Sequence, residues 1–242
     1  MDLKELQSGV DPKKHWYYQS KKELLISFVK NTFSKTGRPL TIIDVGSGSG
    51  FFMYELNDAL PGMIEQIYLI DIGYSEQEVL ASKDQIIEKR NLLPDKIENA
   101  VVVMMDVLEH LKDDQGMLEE IRKRSAGENH FFITVPAFMS LWSGHDVYLG
   151  HYRRYTLSSL RSLLDGSHYR YRDAYYYFGF IFPVVWLVRQ LKPKSEKAAS
   201  DMKPCSGLIN AMLTALCFVE IPFRKLNQLA GVTCVAEGTL GV

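Results

Sequence analysis

A short buried strand that runs directly into a glycine-rich turn is the feature that most constrains this fold. Residues 40–45 form an apolar run, and glycines follow at Gly46, Gly48 and Gly50. Glycine tolerates a positive φ and lets the backbone approach a ligand that a Cβ atom would exclude. We therefore expect a strand, a ligand-binding turn and then a helix that begins near Phe51.

An acidic residue follows the next predicted strand, because the apolar segment 66–70 ends on Asp71. A carboxylate at this place can accept hydrogen bonds from the ribose hydroxyls of an adenosine cofactor. A dinucleotide-binding turn would carry a third glycine where Phe51 stands, and no phosphate-binding Gly-Lys-Ser/Thr follows. Together, the glycine turn and Asp71 favour S-adenosylmethionine as the ligand over a nicotinamide or flavin cofactor. The alternative is that the glycine turn merely joins a strand to a helix.

Strands and helices are predicted to alternate from residue 40 to residue 136. The predicted strands are 40–45, 66–70, 101–105 and 131–135, and the predicted helices are 51–60, 77–93 and 115–123. No clear third strand precedes Val101. A further helix, 21–33, is expected to cover the sheet edge. Such alternation implies an α/β fold with a mainly parallel sheet and helices on both faces.

The motifs resemble those of a known family. Residues 44–50, Asp-Val-Gly-Ser-Gly-Ser-Gly, are similar to motif I of the class I S-adenosylmethionine-dependent methyltransferases, and Asp71 is similar to their motif II acid. Residues 106–111, Asp-Val-Leu-Glu-His-Leu, resemble the signature of the ubiquinone-biosynthesis-type small-molecule branch. Residues 135–155 resemble a block of bacterial methyltransferases of unassigned substrate. The resemblance covers about residues 15–160 and implies a Rossmann-like fold.

This resemblance implies S-adenosylmethionine as cofactor, S-adenosylhomocysteine as product, and a set of binding residues. The set is Asp44, Gly46, Ser47, Gly48, Asp71, Ile72, Asp106 and Val107. Gly46 and Gly48 would pass close to the methionine part of the cofactor, and Asp71 would hold the ribose. Ile72 would lie against the adenine, while Asp106 and Val107 would close the other side of the pocket.

The resemblance also implies cofactor contacts for one further residue and one further segment. Asn91 is the nearest candidate for holding the adenine amino group. Residues 15–18, His-Trp-Tyr-Tyr, resemble a cap that precedes the first helix in this group. The aromatic rings would either cover the cofactor or staple the helix to the sheet.

Three histidines near the predicted ligand-binding edge, His110, His145 and His151, are candidate catalytic bases. Methyl transfer mainly requires alignment of donor and acceptor, but a hydroxyl or carboxyl acceptor would need a base, and histidine titrates near neutrality. Asp146 could orient an imidazole. Each histidine also has a structural alternative, as a helix-start residue or as part of a salt-linked loop.

Arg153 and Arg154 could clamp a carboxylate or phosphate on the acceptor, or form a solvated basic pair. No metal site is expected, because Cys205, Cys217 and Cys234 show neither CxxC spacing nor a histidine at ligand distance. Reduced thiols are expected instead.

The predicted organisation is a methyltransferase domain with an N-terminal cap over residues 1–160 and a helical, aromatic extension over 161–242. The extension holds the uncharged run 174–188, the polar stretch 192–203 and the apolar segment 208–219. Each apolar segment is shorter than the roughly 20 residues that span a bilayer. The extension would form a lid, an apolar groove on the acceptor side or an in-plane membrane surface.

A formal net charge of -1, with acids and bases interspersed, argues against a nucleic-acid partner. The N-terminal segment lacks the apolar core of a signal peptide, so a cytoplasmic location, free or against the membrane, is expected. We predict methyl transfer to a small or lipid-like acceptor, with oxygen favoured over nitrogen or carbon. The alternatives are an NAD(P)-dependent oxidoreductase, which the missing Tyr-x-x-x-Lys disfavours, and a non-catalytic binding or membrane-docking protein.

Overall fold

The computed structural model describes residues 9–191, Ser200 and 203–240. The elements within these residues are α1 Trp16–Thr36, β1 Leu40–Val45, α2 Phe51–Ala59, β2 Ile64–Ile70, α3 Glu76–Ala81, β3 Ile87–Arg90, β4 Ile97–Glu98, β5 Ala100–Met105, α4 Asp114–Arg124, β6 Ser125–Ala126, β7 Asn129–Pro136, α5 Gly144–Leu149, α6 Leu157–Gly166, β8 Arg170–Tyr177, α7 Phe182–Leu191, α8 Gly207–Glu220 and β9 Thr233–Leu240. The first eight residues and most of the polar stretch 192–203, on which expectations were based, lie outside the described residues.

The main sheet of the described chain has seven strands in the order β3-β2-β1-β5-β7-β9-β8. The neighbours from β3 to β7 pair in parallel, while β9 runs antiparallel to both β7 and β8. Helices pack on both faces, which confirms the predicted Rossmann-like α/β fold. The strand order reverses between β1 and β5, and ligands of such sheets bind beyond the carboxyl ends of the strands at this reversal.

The four predicted strands and the helices predicted at 51–60 and 115–123 are confirmed. The central strands are apolar on both faces because helices cover both sides of the sheet, and every residue of β5 is buried. Short continuous apolar runs are therefore a sufficient sequence signal for these elements.

The helix predicted over 77–93 is wrong. The helix ends at Ala81, Asp84 takes a left-handed φ of 61°, and the chain then forms β3. Residues 87–90 pair in parallel with residues 67–70 of β2. The third strand, which the sequence pattern did not reveal, lies at the sheet edge with each side chain half-buried, so it lacks the apolar run of a central strand.

The predicted boundary at residue 160 does not coincide with an edge of the sheet, because β8 and β9 come from the segment expected to be a helical extension. β9 lies between β7 and β8 and pairs with both over most of its length. The break in the strand–helix rhythm marks the antiparallel end of one sheet. Within the described part of 161–242, α7 and α8 are the α-helices that follow α6.

The first helix was expected to cover the edge of the sheet. It lies instead on a face of the sheet. Leu24, Leu25, Phe28 and Val29 of α1 are buried in a cluster with the inner residues of β1, β5 and β7. α1 also packs against α2 and α8. The amino end of this helix therefore reaches the carboxyl ends of the central strands.

Candidate active site

A cavity of about 510 Å³ opens beyond the carboxyl ends of the central strands, at the reversal of strand order. Its wall includes residues from the loops that follow β1, β2, β5 and β7, from α1, and from α5 and α7. The residues of this wall include Trp16, Tyr17, Gly46, Gly48, Asp71, Asp106, Val107, Glu109, His110, His145, His151, Arg154, Val185 and Arg189.

The glycine turn forms one wall of this cavity. Gly46 and Gly48 have φ angles of 69° and 54°, in the left-handed region that favours glycine. A Cβ atom on Gly46 would lie 2.8 Å from both Cγ atoms of Val107. The loops after β1 and β5 thus touch without a side chain between them, which leaves bare backbone facing the cavity, as a close-fitting cofactor requires.

The Asp71 carboxylate binds the glycine turn from the next strand. Its Oδ2 accepts a hydrogen bond from the Gly48 amide at 2.9 Å, and its Oδ1 accepts one from the Gly73 amide at 2.8 Å. Asn91 donates to the carbonyls of Asp71 and Tyr74, at 3.2 and 2.8 Å. Asn91 therefore supports the loop that carries Asp71 through its amide nitrogen, whereas the adenine amino group would donate to its amide oxygen, a contact that stays a prediction.

Two other predicted cofactor residues, Ser47 and Ile72, are not part of the cavity wall. Ser47 is buried, and its hydroxyl lies 2.8 Å from that of Tyr74, which also donates to the Gly48 carbonyl at 2.8 Å. Ser47 therefore anchors the turn to Tyr74, a residue that the sequence analysis missed. Ile72 is 91% exposed and is not part of the cavity wall, so its contact with adenine stays a prediction.

Asp44 is the next-to-last residue of β1, just before the turn, and is buried. Burial raises the pKa of this carboxyl to about 7, and the nearby Asp71 carboxylate adds to the increase. Asp44 is not among the residues of the cavity wall, and its contact with the cofactor stays a prediction.

An ion pair that the sequence analysis missed lies across the cavity from Asp71. The ammonium group of Lys21, whose side chain is completely buried, contacts the Asp106 carboxylate. Asp106 also accepts hydrogen bonds from Thr134 at 3.1 Å and from Tyr17 at 3.4 Å. Burial would raise the pKa of Asp106, but the Lys21 ammonium outweighs it and holds that pKa below its ordinary value. Asp106, predicted to close the pocket, is an anion in its wall.

The aromatic cap both lines the cavity and staples the helix. Trp16 and Tyr17 line it, and Tyr17 stacks on Phe178 with ring centroids 5.4 Å apart. Tyr18 also reaches the wall, although it is 2% exposed and packs against Phe51. The same rings therefore pack the helix against the domain and line the cavity, while their contact with a cofactor stays a prediction.

A buried carboxylate orients one of the three candidate histidines. Asp146 is completely buried and lies 2.9 Å from His151 Nδ1, and it binds Arg154 through two hydrogen bonds of 2.7 and 3.0 Å. Burial opposes ionisation, yet the His151 hydrogen bond and the Arg154 charge hold the pKa of Asp146 below its ordinary range. The other ring nitrogen, Nε2, is buried without a hydrogen-bond partner among the described residues.

Glu109 and His110 lie beside this imidazole. The rings of His110 and His151 meet edge to face with centroids 4.5 Å apart. Glu109 is completely buried, and neither of its carboxylate oxygens has a hydrogen-bond partner in the described chain. Burial raises the pKa of Glu109 well above its ordinary value, and the Asp106 carboxylate adds to the effect. Glu109 was not among the predicted site residues, although the sequence motif 106–111 contains it.

His145 also lines the cavity, as does Arg154, one of the two arginines expected either to clamp the acceptor or to form a solvated basic pair. The Arg154 guanidinium is bound to Asp146 and to the Ala137 carbonyl. Arg153 pairs with Asp114 at 2.8 Å and donates to the Lys112 carbonyl. Both guanidinium groups bind other groups of the protein. These contacts hold the loop after α5 to the domain.

The helices α7 and α8 carry large exposed apolar side chains. We call this set the apolar surface; it comprises Val184, Leu187, Val188, Leu191, Leu208, Ile209, Met212 and Val219. One segment of the described chain, Gly207–Leu226, is long and apolar enough to cross a membrane by length and composition, with a mean hydropathy of 1.3. Its inner face is tied to the domain, since Glu220 accepts from the Gly179 amide and Arg224 donates to Tyr175 and Ser27.

Comparison of the chain with known proteins identifies its family. The model of a methyltransferase domain matches residues 15–172. A search of curated proteins gave no match.

Solved structures share the fold at low sequence identity. The plantazolicin methyltransferase BpumL, solved with a monoazolic desmethylPZN analog and SAH, has a TM-score of 0.54 and 16% identity over 94% of this chain and 85% of its own. The candidate methyltransferase bound to the Haloferax volcanii Trm112 activator has a TM-score of 0.53 and 15% identity over 95% and 91%. An S-adenosylmethionine-dependent methyltransferase from Mesorhizobium loti has a TM-score of 0.50 and 11% identity over 84% and 91%.

Proposed function

Since the chain belongs to the methyltransferase domain family and S-adenosylmethionine is its methyl donor, we propose that it methylates an oxygen of a lipid-like acceptor at the cytoplasmic face of a membrane. The observation that carries this proposal is that one cavity joins the glycine turn and Asp71 to the Asp146-oriented His151. Family membership also overturns the oxidoreductase alternative. The ubiquinone-type signature at 106–111 is consistent with a small acceptor and stays part of the proposal.

The residues around the glycine turn fit the donor. Gly46 and Gly48 offer backbone without side chains, and Asp71 offers a carboxylate for the ribose hydroxyls. Asp106 and Val107 bound the opposite side, with Lys21 keeping Asp106 ionised. When bound, S-adenosylmethionine supplies an electrophilic methyl group on a sulfonium.

The other end of the cavity suits an acceptor oxygen. A hydroxyl must lose its proton as the new carbon–oxygen bond forms, and the protein must accept that proton or lower the hydroxyl's pKa. Glu109, His110 and His151 line this end. His145 lies in the same wall and contributes to the shape of the acceptor site.

The apolar surface supports a lipid-like acceptor. Val185 and Arg189 of α7 line the cavity, whereas Val184, Leu187 and Val188 of the same helix are exposed. Because Glu220 and Arg224 bind the domain, α8 lies along the protein and would rest in the plane of an interface instead of crossing it. An acceptor dissolved in the membrane would then reach the cavity beside α7.

Two experiments test this function. A thermal-shift titration with S-adenosylmethionine, S-adenosylhomocysteine and NAD should raise the melting temperature with the two sulfur compounds alone; silence with all three would favour a non-catalytic protein. Enzyme supplied with S-adenosylmethionine labelled in its methyl group should then transfer label to a membrane lipid extract, with the label on oxygen. Label found only in water-soluble acceptors, or on nitrogen, would overturn the acceptor class.

Flotation with anionic liposomes tests the membrane contact separately. The double variant Leu208→Glu/Met212→Glu should lose flotation, because it places charges in the apolar surface. Leu80→Glu is the matched control, since Leu80 is 70% exposed on α3, away from that surface. Equal flotation of all three proteins, or none by the unaltered chain, would contradict membrane contact.

A further inference from the structure

We propose that Glu109, His110 and His151 bind a divalent transition-metal cation in the wall of the cavity. One ligand atom from each residue lies within 4.8 Å of the other two. Two ligands of one zinc ion, each about 2.1 Å from it, lie about 3–4 Å apart, so small side-chain rotations suffice. Two imidazoles and one carboxylate are a ligand set that Zn²⁺, Fe²⁺ and related ions accept.

The buried atoms of this cluster lack partners that a cation would supply. Both carboxylate oxygens of Glu109 and the Nε2 atom of His151 are buried without hydrogen bonds among the described residues. An unpaired buried carboxylate is costly, and native proteins pair such groups with cations or metal ions. Three unsatisfied atoms on neighbouring side chains that face one cavity point to one shared ligand.

The surroundings of His151 also suit metal binding. Its Nδ1 atom hydrogen-bonds to Asp146, which is itself held by Arg154 and by the Ser143 amide at 2.9 Å. With the proton on Nδ1, the lone pair of Nε2 is directed away from Asp146 and is available to a metal. Carboxylate–histidine pairs of this kind orient metal ligands in proteins.

Backbone contacts keep the ligands together although they come from separate loops. The Tyr152 amide donates to the Glu109 carbonyl at 2.7 Å, which fixes the loop after α5 against the turn that follows β5. The expectation of no metal site rested on the spacing of the cysteines. It therefore left out a ligand set made of histidine and glutamate.

Three protein ligands leave coordination positions open toward the cavity. A bound cation lowers the pKa of a hydroxyl that it coordinates. Its action on the acceptor rests on the proposed function, whereas metal binding itself does not. The two are therefore separated by measuring binding of the cation and of S-adenosylhomocysteine on the same protein.

The test uses metal-free protein prepared with a chelator and titrated with Co²⁺, whose visible absorption reports its ligands, and with Zn²⁺ in competition. The unaltered protein should bind one ion, and Glu109→Gln or His151→Ala should weaken binding at least tenfold. Asp146→Asn should weaken it about 10- to 100-fold. His168→Asn is the control, since His168 is exposed and outside the cavity wall.

Melting curves and S-adenosylhomocysteine affinity show whether each variant is folded. If the protein binds S-adenosylhomocysteine but no Co²⁺, or if Glu109→Gln and His151→Ala bind Co²⁺ as tightly as the control, the metal site is overturned and the methyltransferase stands. Binding of Co²⁺ without S-adenosylhomocysteine would leave the metal site and contradict the proposed function.

Discussion

Lys21 and Asp106 form an ion pair across 85 residues of sequence, with the lysine side chain completely buried and the carboxylate partly open to the cavity. The pair joins the first helix to the loop after the central strand. It also gives the cofactor cavity a fixed anion, because the ammonium group favours the ionised form of Asp106.

Lys21→Met should destabilise the protein by about 2–4 kcal/mol, since it leaves Asp106 with an unpaired charge; access to the cavity reduces the usual cost of a broken buried pair. Urea unfolding measures the effect. Lys21→Met/Asp106→Asn should be more stable than the single variant, because no charge is left unpaired. Additive losses in the double variant would show that the two side chains are not coupled.

Gly46→Ala should abolish tight binding of S-adenosylhomocysteine and lower stability. The added Cβ would lie 2.8 Å from both Cγ atoms of Val107, and a left-handed φ costs a non-glycine residue about 1 kcal/mol. Calorimetric titration measures the affinity. Val107→Ala, added to Gly46→Ala, should restore part of it by removing those Cγ atoms, and unchanged affinity in Gly46→Ala alone would refute the close-approach role.

Asp71→Asn should weaken S-adenosylhomocysteine binding by about 1–3 kcal/mol, roughly 5- to 150-fold, through loss of a charged acceptor. The melting temperature should also fall. Both carboxylate oxygens accept backbone amides, so the new amide nitrogen would face the N–H of Gly48 or Gly73. Asp95→Asn, at an exposed residue, is the control for loss of charge. An affinity equal to the control's would sink the ribose role.

Asp44 should make stability fall as the pH rises. Burial raises its folded-state pKa from an ordinary 3.8 to about 7, so the folded protein retains a proton that the unfolded chain has lost. This contribution is complete below about pH 4 and is lost as the pH rises to 7. Asp44→Asn stays neutral and should therefore gain stability relative to the unaltered protein between pH 4 and pH 8, by at most about 4 kcal/mol. If the free energies of unfolding of the two proteins change with pH in the same way across this range, the raised pKa of Asp44 is excluded.

His151→Ala should lower turnover about 10²- to 10⁴-fold with little change in S-adenosylhomocysteine affinity. The side chain lies at the acceptor end of the cavity, and Arg154 still pairs with Asp146 when the imidazole is removed. Steady-state kinetics with a labelled methyl donor measure the change, with His168→Asn as reference. Normal turnover would make His151 a structural residue.

The central strands, the glycine turn and Asp71 were predictable from the sequence because their signals are local. An apolar run of six residues ending in glycines describes β1 and its turn without reference to any other segment. The edge strand β3 and the strands β8 and β9 were not predictable in this way. Their pairing depends on other strands, and their sequences share no plain pattern. β3 is half-buried and mostly charged, β8 runs from partly exposed to buried, and β9 is almost wholly buried although it contains Glu237 and two threonines.

The sequence by itself determined the strand–turn–helix unit, the position of Asp71 after the next strand, and the family to which the chain belongs. Only the tertiary structure decided which charged groups meet: Lys21 with Asp106, and Arg154 with Asp146. The physical reason is that a buried charge is tolerated only beside a partner, and that partner is chosen by how the elements pack, not by spacing along the chain.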